Sequence, residues 1–282
     1  MRTCIGLGFA LMLLACTAWA AGPGGVRKQM EASTLVTGTI EIGLDGAVAT
    51  VQVDKPERLP EGIAVFVQEQ IARWRFEPAL VDGKPVRART KMSVRLVAKD
   101  LHQGRATVSI RGATFGDSEA LPEAERITGR QMTAPAYPMQ AGERGAQGAV
   151  YLLLRVERDG SVSEVVTEQV NLKYITSEAQ MEQLRTSFAR VSTAAAKRWT
   201  FNPPTVGEAA RQPYWLVRVP VDFSFPGAET KYGQWEAYVP GPRQSVAWAS
   251  EDPSFSPDAL PGAGIYIADR NGPKLLTPLD GI

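Results

Sequence analysis

One pattern occurs twice in this chain. It consists of an alternating strand, an Asp-Gly pair, a second strand, an amphipathic helix ending in Trp-x-Phe-x-Pro, and a final strand. The first copy passes through Asp45-Gly46 and then Trp74, Phe76 and Pro78; the second passes through Asp159-Gly160 and then Trp199, Phe201 and Pro203. A repeated order of signals restricts the chain to two related small units.

Within each copy the side-chain period supplies the elements. Val36, Gly38, Ile40, Ile42 and Leu44 alternate with polar or small residues, as do Val150, Leu152, Leu154 and Val156, which is the period of a sheet with one buried face. The Asp-Gly pairs favour a tight connection to the next strand. Helical spacing follows: Ile63, Phe66, Val67, Ile71 and Trp74 share one stripe, and Met181, Leu184, Phe188, Val191, Ala195 and Trp199 another. Ser177 with Gln180 reads as a capping box at the start of the second helix.

The expected fold class is therefore α+β: two tandem small domains, each an antiparallel β-sheet with one helix packed on it, preceded by a signal peptide. The copies span 33–98 and 134–225, with 99–133 as a linker holding a possible strand at Arg105 to Ile110. Residues 226–282, rich in Pro and Gly, are expected to form an extension without a globular core of its own. Trp235, Trp248, Phe255 and Tyr266 would anchor it on the second copy, and Ile265 to Ile267 would pair with Leu275 and Leu276 about an Asn-Gly turn. Trp74, Phe76 and Pro78, like Trp199, Phe201 and Pro203, are expected to seal the helix against the sheet rather than contact a ligand.

The N-terminus sets the compartment. Arg2 precedes an apolar stretch from Ile5 to about Ala15, shorter than the ~20 residues of a spanning helix, and Ala18-Trp19-Ala20 fits signal-peptidase cleavage after Ala20. Residues 1–20 thus read as a signal peptide and the mature protein as periplasmic. Leu13-Leu14-Ala15-Cys16 offers the alternative of a lipid anchor at Cys16, and a retained inner-membrane anchor is a third. Both cysteines, Cys4 and Cys16, lie in this leader, which leaves no disulfide framework downstream. Lys and Arg total 31 against 30 acidic residues, a balance that argues against nucleic-acid binding.

Chemistry is missing. One histidine, His102, has no second ligand candidate beside it, so neither a His-activated nucleophile nor a zinc site can be assembled. No acidic pair lies in a hydrolase motif, and the glycine runs Gly22 to Gly25 and Gly142 to Gly148 do not sit between a strand and a helix as phosphate cradles do. The expectation is a non-enzyme without metal or small-molecule cofactor.

With Pro135-Ala136-Tyr137-Pro138 before its first strand, Gly148 opening that strand, Asp159-Gly160, Trp199-x-Phe201-x-Pro203 and Val219-Pro220-Val221-x-Phe223, the second copy resembles the C-terminal domain of TonB. That domain is the periplasmic end of an energy transducer that touches outer-membrane receptors. The first copy lacks the Pro-x-Tyr-Pro element and is a more distant relative. The resemblance implies partner contact through Pro135, Tyr137 and Pro138 and through the last strand at Val219, Val221 and Phe223.

Pro220 interrupts the alternation of Trp215, Val217, Val219, Val221, Phe223 and Phe225. A residue without an N–H belongs where its nitrogen faces away from the ladder, which marks an edge strand. Such an edge accepts a partner strand by β-augmentation, or its proline guards it against aggregation. In the first copy Ser93 takes the place of Pro220, and Arg87, Arg89, Lys91 and Arg95 line one face, either as an attractor for acidic partners or as a solvated face. The functions in view are a periplasmic TonB-like coupling or receptor-interacting module with an outer-membrane receptor or other envelope protein as partner, a structural envelope scaffold without energy transduction, and, third, a hydrolase. The transducing members carry an anchor histidine and a long Pro-rich spacer; His102 lies far from the leader and residues 21–33 are no such spacer, so direct use of the proton gradient is not expected.

Overall fold

Both Asp-Gly turns close on the same partner. Gly46 and Gly160 have φ of 77° and 83°, and the carbonyl of each accepts from the N–H of the phenylalanine in its own Trp-x-Phe motif, Phe76 and Phe201, at 2.8 Å. The motifs that repeat in the sequence are thus bonded to each other in the fold. The computed structural model describes residues 23–27, 29–100, 106–116, 121–228, 230–246, 248–249, 254–268 and 273–279. The leader with Cys4 and Cys16, Gly22, His102, Arg105 and the turn at 269–272 lie outside them.

A short helix α1 (Pro23–Arg27) precedes β1 (Glu31–Ile42), β2 (Val48–Val53), α2 (Ile63–Ile71), the two-residue strands β3 (Leu80–Val81) and β4 (Lys84–Pro85), β5 (Ala88–Asp100) and β6 (Ala106–Phe115). The second half adds β7 (Thr128–Gln131), α3 (Met139–Glu143), β8 (Gly148–Glu157), β9 (Val162–Leu172), α4 (Glu178–Ala196), β10 (Thr200–Asn202) and β11 (Tyr214–Phe223). Two short strands close the chain, β12 (Glu236–Tyr238) and β13 (Tyr266–Ile267). All named pairings are antiparallel, and the architecture is α+β.

In one sheet β1 lies between β5 on one side and β2 and β12 on the other, with β6 outside β5; in the other the order is β13-β11-β8-β9. Helices α2 and α4 each cover one face. Val36, Ile40, Ile42, Met92, Val94 and Leu96 meet Ile63, Val67, Ile71, Trp74 and Phe76 in the first core. Val150, Leu152, Leu154, Trp215, Val217 and Phe223 meet Met181, Leu184, Phe188, Trp199 and Phe201 in the second. Leu44, which continues the alternation in sequence, is exposed because the strand has already turned. Ser177 caps α4 by accepting from the Gln180 N–H at 3.4 Å; the Gln180 side chain instead meets the Thr176 hydroxyl, so the cap is one-sided rather than the reciprocal box.

The segment expected as a linker carries β6, which pairs with β5 from Met92 to Asp100. The last strand of the first copy is therefore internal, not an edge. Its basic row is divided as well: Arg87, Arg89 and Lys91 are exposed, but Arg95 turns inward to the Ser33 hydroxyl and the Asp258 carbonyl.

The C-terminal extension builds on both units rather than on the second alone. β12 pairs with β1, and the next residue, Val239, exchanges two backbone bonds with Leu172 at the end of β9. Ile265 to Ile267 and Leu275 do not pair with each other: β13 lies on β11, whereas Leu275 bridges Phe76 and enters the first core with Leu279. Residues 274–276 thereby flank the first Trp-x-Phe strand as β7 flanks β10 in the second copy.

Both sheets are also covered on the faces turned away from their helices, so the one-sided alternation read from sequence is incomplete. Val97 and Leu153 are wholly buried yet belong to neither helix-facing core. Asp258, only 2% exposed, accepts from Tyr238 at 2.9 Å and Asn171 at 3.4 Å, while its carbonyl accepts from Arg95. One residue of the extension thus bonds to side chains from both halves.

Candidate partner-binding edge on the second sheet

The direction of each backbone group on β11 follows from one bond. Ala268 N–H donates to the Leu216 carbonyl at 2.8 Å, so Leu216 faces away from β8. Residues of one parity along a strand point their N–H and C=O the same way, and β11 pairs with β8 without a register shift. Leu216, Arg218, Pro220 and Asp222 therefore turn their backbone groups outward. Val219, Val221 and Phe223, the positions chosen from sequence, turn theirs inward to β8.

Side chains alternate the other way. Val219 and Phe223 are buried under α4, and Val221 packs at the margin of the same core. A strand arriving at this edge would read the backbone of Arg218 and Asp222, while the alternating apolar side chains hold β11 flat against the helix. Pro220 has its nitrogen on the open side, where no ladder bond to β8 is lost.

The outer edge is occupied over one short stretch. β13 pairs at Val217 with Ile267 and at Arg218 with Tyr266. Continued, the register would set Pro220 opposite Gly264, and proline offers no donor there. The pairing stops at that point, and among the described residues no strand lies outside β11 from Val219 to Phe223.

The Pro135 to Pro138 loop is brought to the same end of the strand. The Tyr137 ring stacks on Phe225 at 5.3 Å and meets Phe223 edge-on at 5.5 Å, and its hydroxyl donates to the Ala146 carbonyl at 2.6 Å. Burial, reinforced by the Asp222 carboxylate, raises the Tyr137 pKa above the ordinary tyrosine value, so the hydroxyl stays a donor. Pro138 is buried, Pro135 half-buried and Met139 beyond them exposed.

Behind the edge, Arg218 makes a bidentate pair with Glu168 at 2.8 and 3.0 Å and stacks over Phe255 at 4.1 Å. Phe255 is one of the aromatics expected to anchor the extension, and it lies over this pair. The Arg218–Glu168 pair has no sign in the spacing, since its partners lie far apart in sequence; the triplet Ile265-Tyr266-Ile267 reads as a strand, but it lies on β11 and not on Leu275 and Leu276. No group of three or more metal-ligating side chains occurs among the described residues.

Known proteins share part of this chain. No protein-family profile matches it. TonB of Xanthomonas campestris pathovar campestris is 33% identical over 99 residues, which is 35% of this chain and 38% of that protein. TonB2 of Pseudomonas aeruginosa is 33% identical over 90 residues, 32% of this chain and 28% of that protein, so the chain spans well under half of the relatives it matches. The solution structure of the TonB C-terminal domain of Pseudomonas aeruginosa is 20% identical, with a TM-score of 0.25 over 37% of this chain and 89% of that one. The repeated turn-and-motif geometry and the two sequence relatives lead to one identification: this chain carries a TonB C-terminal-like domain.

Proposed function

We propose that this is a periplasmic TonB-like protein, exported by a cleaved signal peptide, that serves envelope transport by receiving an extended segment of an outer-membrane receptor or another envelope protein at the outer edge of β11. The observation that carries the reading is the free edge from Val219 to Phe223 with the Tyr137 loop packed against its end. Main-chain bonds along such an edge supply affinity, and a side contact such as Tyr137 supplies selection. The role is one of binding, without catalysis. No helix among the described residues is long and apolar enough to cross a membrane.

Titration of the full chain with synthetic N-terminal segments of outer-membrane receptors tests this. Pro220→Val restores an outward donor and is expected to tighten binding by about 0.5–1.5 kcal/mol; Tyr137→Ala is expected to weaken it. Both variants binding like wild type would remove β11 as the site.

A second reading, an envelope scaffold without energy transduction, is favoured by the way the extension joins both sheets through Asp258 and through Tyr238 and Val239. A chain that captures no receptor segment but self-associates or retains envelope proteins through other surfaces would support it.

A further inference from the structure

We propose that residues 265–268 are an intramolecular pseudo-ligand, a segment of this chain that occupies the partner edge of β11 and must be displaced before a partner strand can pair along its full length. This rests on the reading of β11 as a partner edge and adds its regulation.

Position is the first argument. The segment takes the outward carbonyl of Leu216 and pairs with Arg218. Beyond them Pro220 has no N–H, so Arg218 is the nearest outward donor on that side of the break. An incoming strand confined to Pro220 to Phe223 would find one outward donor, that of Asp222. Recognition along the edge therefore requires the stretch that β13 now covers.

The attachment is built to be reversible. β13 has two residues, far below what sustains a strand alone. Ile265 and Ile267 are only partly buried against the second core. The Tyr266 hydroxyl donates to the Pro261 carbonyl at 2.9 Å, closing a local loop within the segment itself.

The segment is also tethered at both ends. On one side of β13 the chain is anchored by Asp258 and the buried Leu260; on the other it is anchored by Leu275 in the first core. A short segment held between two fixed points meets its edge at an effective concentration on the order of millimolar. It can also leave without unfolding either anchor. Occupancy in cis then lowers the apparent affinity for a strand in trans by the fraction of molecules with a free edge.

The test uses the full chain and a labelled synthetic peptide with the sequence of residues 263–269. Ala268→Pro removes the donor to the Leu216 carbonyl, and Ile267→Ser weakens the apolar contact without altering the backbone. Both variants are expected to bind the peptide about tenfold or more tightly than wild type, with faster amide exchange at Arg218. Ile267→Ser carries the test if Ala268→Pro does not fold. Equal affinity in wild type and Ile267→Ser, including no binding in either, overturns the proposal. Receptor segments separate it from the reading it rests on. If they bind wild type and variants equally, the partner edge stands and occlusion fails; if only the 263–269 peptide gains, occlusion stands and receptor capture fails.

Discussion

The N–H of Phe201 donates to the Gly160 carbonyl at 2.8 Å, and the Phe201 carbonyl in turn lies inside van der Waals reach of where a Gly160 Cβ would stand. Gly46 and Phe76 stand in the same relation in the first copy. A left-handed φ costs a non-glycine residue roughly 1–2 kcal/mol, and the approaching carbonyl adds a clash. Gly160→Ala and Gly46→Ala are each expected to destabilise by at least that amount, measured by urea unfolding. An unchanged midpoint in either would show that the turn and motif are not coupled.

The two signature tryptophans are both buried but differ in their polar partner. Trp199 Nε1 donates to the Thr133 carbonyl at 2.8 Å, whereas Trp74 Nε1 is buried with no hydrogen-bond partner among the described residues. Trp199→Phe therefore loses a bond worth about 0.5–1.5 kcal/mol net on top of its lost contacts. Trp74→Phe loses contacts only and sheds an unsatisfied donor. Calorimetric comparison should show the larger loss at Trp199, and Trp199→Ala should cost ~3–5 kcal/mol.

Leu275 ties the end of the chain to the first core. Its bridge to Phe76, with the bonds from Glu77 to Lys274 and from Leu276 to Arg75, makes the extension a flanking strand of that unit. Leu275→Ala is expected to cost about 2–5 kcal/mol. Limited proteolysis should then release the C-terminal peptide faster than in wild type; identical cleavage rates would mean that the extension does not complete the first unit.

Tyr151 and Tyr238 predict an alkaline limit. Burial, the largest cause in each, pushes both pKa values well above the ordinary 10.0. The folded state thus keeps protons that the unfolded chain gives up. Stability from this source is fully present below pH ~10 and falls as pH rises beyond it. Tyr151→Phe should flatten the decline of melting temperature above that pH, and an unaltered slope would place the alkaline transition elsewhere.

The helix-facing half of each unit was legible because a period of two or 3.6 marks which side chains share a face, as Leu152 with Leu154 and Leu184 with Phe188 show. The second covered face was not. Leu153 and Val97 fall at positions that the one-face alternation assigns to the outer face, yet both are wholly buried. Pro220 announced an edge from its chemistry alone. Its neighbour β13 was legible as a strand at Ile265 to Ile267 but not in its partner, because the pairing of so short a strand is set by where Asp258 and Leu275 hold the chain.

A partner strand on β11 would engage its outward amides, those of Arg218 and Asp222. Amide hydrogen exchange of the full chain, with and without a saturating receptor segment, measures this directly. The prediction is added protection at Asp222 and, once β13 is displaced, continued protection at Arg218, with Val219 and Val221 unchanged because their N–H groups already face β8. Binding that leaves Asp222 and Arg218 exchanging as in the free chain with β13 released would contradict pairing at this edge.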